Sequence, residues 1–444
     1  MNSFVNIKSV FSNDKERNID FLRKVYDDKK KMIEIISSIS SFSINEDNIK
    51  GKRILLKPNW VKHSSNENDE ICLRTNDSFI LAALEVVLSK SPGHVVIGDA
   101  PVQGCRWDRM IKKEFINSVE ELSKKYSITV EIKDFRRVVF YASENESTTD
   151  RSSLDEYIIF DVGEDSYLEP ITSTDKNLFR VTQYNPDRFT LSHKKGMHKY
   201  CITKELFKAD IVISLPKVKT HQKAGITAAL KNLVGVNGDK DFLPHHRLGG
   251  TGMGGDCYPG TSYLRYISEL IMDHANRRLG KPSYKFFVRV SAMIWRFSLP
   301  KKTDHLAAGW YGNDTTWRMV MDLNKIVNFG KLDGKISKTP QRILYSLCDG
   351  IVGGQGDGPL KPDPLNLGVV CFSNDSARTD LSMATLMGMN VNKIPLLNAA
   401  KSFMNADKTI ITYNEQETTL EELKKDAVSA IPPPGWVDYL KKNN

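Results

Sequence analysis

The stretch Ser214–Gly235, SLPKVKTHQKAGITAALKNLVG, follows the apolar run Ile211-Val212-Ile213 and gathers four lysines, a histidine and an asparagine behind it. The run reads as a short buried strand. Pro216, with no N–H to give to a ladder, is expected to stop it and turn the chain outward. Lys217, Lys219 and His221 then fall at the C-terminal end of a strand. In open α/β sheets that edge is where ligands bind, so cations placed there point to an anionic ligand.

On either side of this stretch the pattern is regular. Arg53 to Lys57 and His94 to Gly98 are short apolar runs bounded by Gly or Pro, and the segments Asp77 to Ser89 and Trp107 to Tyr126 have helical period. Ile128 to Ile132 and Tyr157 to Val162 are further expected strands, with the polar loop SENESTTDRSS between them. After Asp210 to Leu215, Ala224 to Val234 has helical composition, Val236 to Gly260 is a long glycine-rich loop, and Tyr263 to Leu279 is an amphipathic helix. Strands at Ile343 to Cys348 and Leu367 to Phe372, with helices over Thr316 to Phe329 and Ala377 to Met387, close the chain. Strand, helix, strand, helix predicts an α/β fold: a mostly parallel sheet flanked by helices, carrying a long glycine-rich loop and a helical insertion. Residues 1–50 read as an N-terminal helical extension outside the sheet, and 51–444 as one α/β domain with its insertion at about 260–330.

The chain has 444 residues, 40% of them hydrophobic, and a formal net charge of +9. That excess would recruit phosphates, nucleic acid or an anionic membrane without selecting among them, and solvated surface charge is the favoured reading, which leaves nucleic acid unlikely as a partner. The segment Phe286 to Leu299, FFVRVSAMIWRFSL, is too short to span a bilayer but could lie on an apolar surface, so a peripheral membrane contact through 286–299 stays open. The six cysteines are scattered with no C-x-x-C pair, which speaks against a zinc ribbon, an iron–sulfur cluster or a disulfide scaffold and fits a cytoplasmic protein. The first residues are broken by charges before an apolar core of signal-peptide length develops.

Five polar clusters follow apolar strands: Lys57-Pro58-Asn59, Asp99-Ala100-Pro101, Lys217 to His221, Asp349-Gly350 and Asn374-Asp375. In a parallel sheet they would converge on one edge. Lys57, Lys217, Lys219 and Lys231 would repel one another unless an anion lay between them. His221, close behind two lysines, would stay neutral and usable as a base or a ligand. In the loop NGDKDFLPHHRLGGTGMGGDCYPG, Asn237 to Gly260, glycines allow backbone N–H groups to face one anion, and His245, His246 and Arg247 bring imidazole and guanidinium; a closing lid is the functional expectation. Neither glycine cluster matches a nucleotide fingerprint: Gly249 to Gly255 lacks the following Lys-Ser/Thr, and Pro359 and Pro362 prevent a helix after Gly353 to Gly358. In WYGNDTTWR, Trp310 to Arg318, Asp314 or Thr315 reads as a helix cap, with aromatics able to wall a pocket.

The segments KPN (Lys57 to Asn59), GDAP (Gly98 to Pro101), LPKVKTH (Leu215 to His221), LKNLVG (Leu230 to Gly235), DGIVGGQGDGP (Asp349 to Pro359) and SNDSARTD (Ser373 to Asp380) together resemble the DUF362 family, proteins of unknown function. The resemblance runs from about residue 51 to 395. It implies an α/β fold, and many family members carry a ferredoxin-type cysteine cluster. This chain lacks those cysteines, so no iron–sulfur cluster is expected.

The expected function is an intracellular enzyme acting on a phosphorylated or carboxylated small molecule, of unnamed reaction. In that reading His221, Asp99 and Lys219 carry the chemistry, while Lys57, Asn59, Lys217, Lys231, Asn232, His246 and Arg247 bind substrate. The cofactor is left open, with a divalent metal held by Asp99, Asp349 or His245 as the one option named. Two alternatives stand beside it: a redox or metal-handling module working with a separate electron carrier, and a non-catalytic binder of nucleic acid or anionic membrane. Colour or bound metal would favour the first alternative, and salt-sensitive binding to heparin or liposomes the second.

Overall fold

The computed structural model describes residues 3–64, 67–140, 149–150, 153–181, 184–298, 308–403 and 409–441. Most of the expected polar loop SENESTTDRSS lies outside the described residues.

The main sheet has twelve strands: β1 (Phe4–Ser9), β2 (Arg53–Pro58), β3 (His94–Asp99), β4 (Val130–Asp134), β5 (Ile211–Leu215), β6 (Lys217–His221), β7 (Gly225–Thr227), β8 (Ile343–Gln355), β9 (Asp363–Leu365), β10 (Val369–Ser373), β11 (Ile410–Tyr413) and β12 (Gln416–Thr418). Their order is β12-β11-β1-β10-β8-β5-β2-β3-β4, with β6 and β9 on the free end of β8 and β7 on β6. From β4 to β8 every pairing is parallel. Both faces are covered, which is why these strands are unbroken apolar runs rather than alternating ones. Ile54, Leu56, Val95, Ile97, Ile211 and Ile213 pack on one face with the helices Ile19–Asp27, Lys29–Ser40, Asp77–Leu88 and Lys113–Tyr126. Leu55, Val96 and Val212 pack on the other with Thr316–Phe329, Ser376–Leu386 and Pro395–Phe403. The mostly parallel, helix-flanked α/β fold is therefore as expected.

Several local expectations are corrected. Pro216 does not turn the chain outward. The chain continues straight into β6, Pro216 lends its carbonyl to the Asp349 N–H at 2.9 Å, and the register against β8 slips between Lys217 and Lys219. Proline removes one ladder donor, and a bulge absorbs the loss. The strand expected to end at Asp349-Gly350 runs on to Gln355, so that pair lies in mid-strand. The strand ending at Asn374-Asp375 is antiparallel to β8 and runs back toward the other edge of the sheet, so four of the five polar clusters share an edge. Ala224 to Val234 is not one helix but β7, a single turn at Ala229–Asn232 and a 3-10 turn at Leu233–Val236.

The N-terminal fifty residues are helical over Ile19–Asp27 and Lys29–Ser40, yet they begin with β1, which sits inside the main sheet between β10 and β11. Within the expected insertion, Tyr263–Asn276 and Ser283–Ser298 form a hairpin joined by the Ser268 hydroxyl on the Ser291 carbonyl at 2.8 Å. The helix Thr316–Phe329 belongs instead to the core, where Met319, Val320, Leu323 and Ile326 are fully buried. Its start is held by Asn313, whose side chain accepts the Thr315 and Thr316 N–H groups, while Asp314 bonds Trp317 and Arg318.

Candidate functional site

At the end of β2, Lys57 is wholly buried. Its Nζ donates to Asp99 Oδ1 at 2.7 Å, to Asn232 Oδ1 at 3.2 Å and to its neighbour's carbonyl on Pro58 at 2.9 Å. Asp99 Oδ2 takes the Trp60 N–H at 2.7 Å. Burial lowers the Lys57 pKa, and the Asp99 carboxylate opposes that shift. Asn232 completes the group: its Nδ2 bonds the Lys57 carbonyl at 3.1 Å and the Ser214 hydroxyl at 2.9 Å, and its Oδ1 accepts from Asn59 at 3.2 Å. Gly235 covers this pair. A methyl group there would collide with Asp99 and the Lys57 ammonium, which explains the glycine closing LKNLVG. Asp99, expected to move protons, is committed to an ion pair, and Lys57, Asn59 and Asn232 form the frame around it.

A second buried pair lies one level higher. Lys217 Nζ reaches Asp349 Oδ2 at 2.8 Å and the Tyr26 hydroxyl at 3.0 Å; Tyr26 in turn donates to Asp349 Oδ1 at 2.6 Å, and Asn76 N–H gives a fourth bond at 3.0 Å. Lys217 and Asp349 are both fully buried. The Asp349 carboxylate thus accepts three hydrogen bonds, and a cation there would face the Lys217 ammonium, so the metal role expected for Asp349 is corrected. Tyr26 comes from the N-terminal segment, which thus contributes a side chain to this buried pair.

Beyond these two pairs lies a group of cations without counter-ions. Among the described residues, Lys219, Lys223, Lys231 and Lys240 make no ion pair with a carboxylate. Lys219, fully buried, is held by the carbonyls of Leu73 and, at 3.2 Å, Pro359, and Lys240 by that of Ala100 at 3.1 Å. Burial, reinforced by neighbouring ammonium groups, pulls Lys219 and Lys231 down to about 7 and Lys240 to about 8. Lys223 falls to about 8, chiefly through burial. The two histidines among them, His221 and His245, are held well below the usual imidazole range by burial and then by Lys231. Local hydrogen bonds distinguish the pair. His221 Nδ1 accepts the Lys223 and Ala224 N–H groups at 3.0 and 3.2 Å, so its proton sits on Nε2. His245 Nδ1 lies 2.7 Å from the Leu243 carbonyl and must donate to it, so its Nε2 keeps the lone pair. The expected base at His221 is a hydrogen-bond donor, and the imidazole with a free lone pair is His245.

The glycine-rich segment is packed into the body rather than poised above it. Asn237 bonds the Cys201 N–H at 2.8 Å, His246–Arg247 pairs with Phe179–Arg180, and Asp239, Asp256 and Tyr258 are buried. The lid expected from its glycines is corrected accordingly. Arg247 lies against Asp256 at 3.6 Å and bonds the Gly254 carbonyl at 3.0 Å, outside the lysine group, and borders a depression of about 260 Å³ walled by Ile171 to Phe179 and His193 to Lys195. His246 joins Cys257 and Glu269 instead.

Sequence reading missed Lys240, hidden among the acids of NGDKDF, and gave Lys223 no part in the site. The one available signal for Lys240 was its place two residues after Gly238, on a segment that must pass close to β3. It also missed Asp380, which is fully buried and accepts the Ala229 N–H at 2.6 Å and the Leu230 N–H, anchoring the turn that carries Lys231. Burial raises the Asp380 pKa to about 8.

These elements define an α/β protein with a cationic group at the C-terminal edge of its parallel strands. The chain belongs to the DUF362 family, a domain of unknown function, whose model matches residues 161–385. No curated protein matches the sequence. A crystal structure of a protein from Thermotoga maritima is similar at a TM-score of 0.33 and 8% identity over 87% of this chain, which spans 60% of that protein's length. All six cysteines are buried and none is in a disulfide. Among the described residues no helix is long and apolar enough to cross a membrane.

Proposed function

We propose that this chain is an enzyme acting on a phosphorylated or carboxylated small molecule held by Lys231, Lys223, Lys240 and Lys219. The observation that supports the reading is the set of four lysines that make no ion pair with a carboxylate among the described residues, with Lys231 depressed by Lys240 and Lys223, and Lys219 by Lys231. Crowding ammonium groups in a desolvated place is unfavourable, and a multiply charged anion offsets it. Lysines that titrate near neutrality can bind as ammonium and also serve as bases when unprotonated. In this reading His245 Nε2 accepts a proton, His221 Nε2–H donates a hydrogen bond to the anion, and the Lys57–Asp99 and Lys217–Asp349 pairs keep the walls rigid. Buried unpaired thiols suit a reducing compartment such as the cytoplasm.

A thermal-shift panel of phosphorylated and carboxylated metabolites tests it. At least one polyanion should raise the melting temperature, and Lys231→Gln and His245→Asn should each remove most of that rise while keeping the ligand-free melting temperature within a few degrees. An unchanged ligand response in both variants, or no response to any polyanion, rejects the proposal.

A second reading is favoured by the helical hairpin. Tyr263, Leu264, Ile267, Leu270, Phe286, Met293 and Phe297 are exposed there, and Arg289 and Arg296 accompany them. Such a face suits a peripheral contact with an anionic membrane. Co-sedimentation with phosphatidylserine vesicles that is lost on Phe286→Ser/Phe297→Ser supports it; sedimentation indifferent to those changes rejects it.

A further inference from the structure

The glycine-rich segment and the helix Tyr263–Asn276 meet over three side chains that no expectation had joined: His246, Cys257 and Glu269. They are 8%, 1% and 8% exposed. One donor atom from each lies within 4.8 Å of the others. His246 Nδ1 is buried without a hydrogen-bond partner, and Glu269 Oε1 accepts from no nitrogen or oxygen donor, while Oε2 takes the Gly249 N–H at 2.9 Å. Buried polar atoms are ordinarily satisfied, so the unmet His246 Nδ1 beside the hydrogen-bonded Cys257 thiol and Glu269 carboxylate needs a reason. The backbone is shaped to bring the three together. Gly249 has φ +90, in the left-handed region, and a side chain at Gly255 would strike the Gly249 and Leu248 carbonyls, so the segment folds back tightly enough to set Cys257 beside His246.

We propose that His246, Cys257 and Glu269 form a three-ligand site for a divalent cation of the zinc class. Imidazole nitrogen, thiolate sulfur and carboxylate oxygen are the donors that zinc takes together, whereas calcium and magnesium require oxygen throughout. Ligands at ordinary zinc distances stand about 3.5 Å apart, so the three donor atoms, within 4.8 Å of one another, need draw together by only about 1 Å. Charge also balances: thiolate and carboxylate carry two negative charges and the cation two positive ones. Binding breaks the S–H bond of Cys257, releases its proton to solvent, and releases the Glu269 proton where one is held. The Gly249 N–H orients the carboxylate and leaves Oε1 for the metal, the arrangement by which outer hydrogen bonds set ligand geometry. Three protein ligands leave the fourth tetrahedral position to water or to a ligand group, the pattern of a reactive rather than a closed site. Lys223 acts electrostatically on Cys257 and His246 and also on Lys231 and His245, so this site borders the lysine group.

The test uses the untagged full chain, stripped with chelator and titrated with Zn²⁺ and Co²⁺ in the absence of any other ligand, so its outcome is separate from that of the anion reading. One equivalent of metal per chain is expected, and the Co²⁺ form should show a thiolate charge-transfer band that Cys257→Ser abolishes. Glu269→Gln and His246→Asn should each weaken Zn²⁺ binding at least tenfold with unchanged circular dichroism. No stoichiometric uptake, or a thiolate band that persists in Cys257→Ser, overturns the proposal. Should Cys257→Ser fail to fold, Glu269→Gln decides: it is the same shape as the protonated acid, and undiminished Zn²⁺ affinity in that folded variant overturns the site.

Discussion

Lys219 offers the sharpest test of the electrostatic account. It is fully buried, bonded only to two carbonyls, and lowered to about 7, against ~10.4 for an unfolded lysine. Between those two values the unfolded chain holds the extra proton, so this group's contribution to stability rises with pH from about 7 to about 10. From pH 7.5 to 9.0 the rise works out at ~2 kcal/mol. Lys219→Met keeps the length and apolar stem but cannot titrate, so its stability lacks that rise. Urea unfolding of both proteins at pH 7.5 and 9.0 measures the effect as a difference between them, in which titrating groups not coupled to Lys219, including the raised Asp380 and Glu269 acids, cancel. The stability of Lys219→Met relative to the natural chain should fall by ~2 kcal/mol over that interval. A saturating polyanion, by holding the ammonium form, should flatten the natural chain's own slope. A relative stability constant to within ~0.5 kcal/mol across the interval would refute both the desolvated lysine and the reasoning built on it.

Asp99→Asn leaves the Lys57 ammonium buried without its partner and should cost ~3–5 kcal/mol in urea unfolding, whereas Lys57→Met/Asp99→Leu should restore much of the loss; a single-variant cost below ~1 kcal/mol contradicts the pair's importance. Gly235→Ala places a methyl group on that same pair and should destabilise by ~1–3 kcal/mol, read as a lowered melting temperature; an unchanged melting temperature refutes the close approach. Asp380→Ala strands the Ala229 and Leu230 N–H groups, so those two amides should exchange with solvent faster and stability should drop by ~1–3 kcal/mol, and unaltered exchange argues against the anchor. Tyr26→Phe removes one donor to Asp349 and should cost ~1 kcal/mol while leaving the N-terminal helices folded by circular dichroism.

Much of the fold was legible because its signals are local. Ile54 to Leu56, Val95 to Ile97 and Ile211 to Ile213 are short, aliphatic and bounded by Gly, Pro or charge, and helical period fills the gaps between them. The direction of β10 was not legible. A strand buried on both faces has the same apolar pattern whether it runs parallel or antiparallel, so nothing in Leu367 to Phe372 indicated that Asn374-Asp375 would leave the shared edge. The extension of β8 was hidden for a related reason, since Gly350, Gly353 and Gly354 look like a turn unless a neighbouring backbone needs the room they leave. In the fold, Gly354 lies against Lys219 and Gly350 against Val369.

By itself the sequence determined that this is an α/β chain whose lysines gather where strands end, because apolar period and the placement of charge are properties of neighbours along the chain. Only the tertiary structure decided which lysines are neutralised. Lys57 meets Asp99 across 42 positions and Lys217 meets Asp349 across 132, pairings set by strand order rather than spacing. The same order left Lys219, Lys223, Lys231 and Lys240 without an ion pair among the described residues. Coulomb attraction and desolvation depend on distance and burial in three dimensions, and neither is written in the separation of residues along a strand.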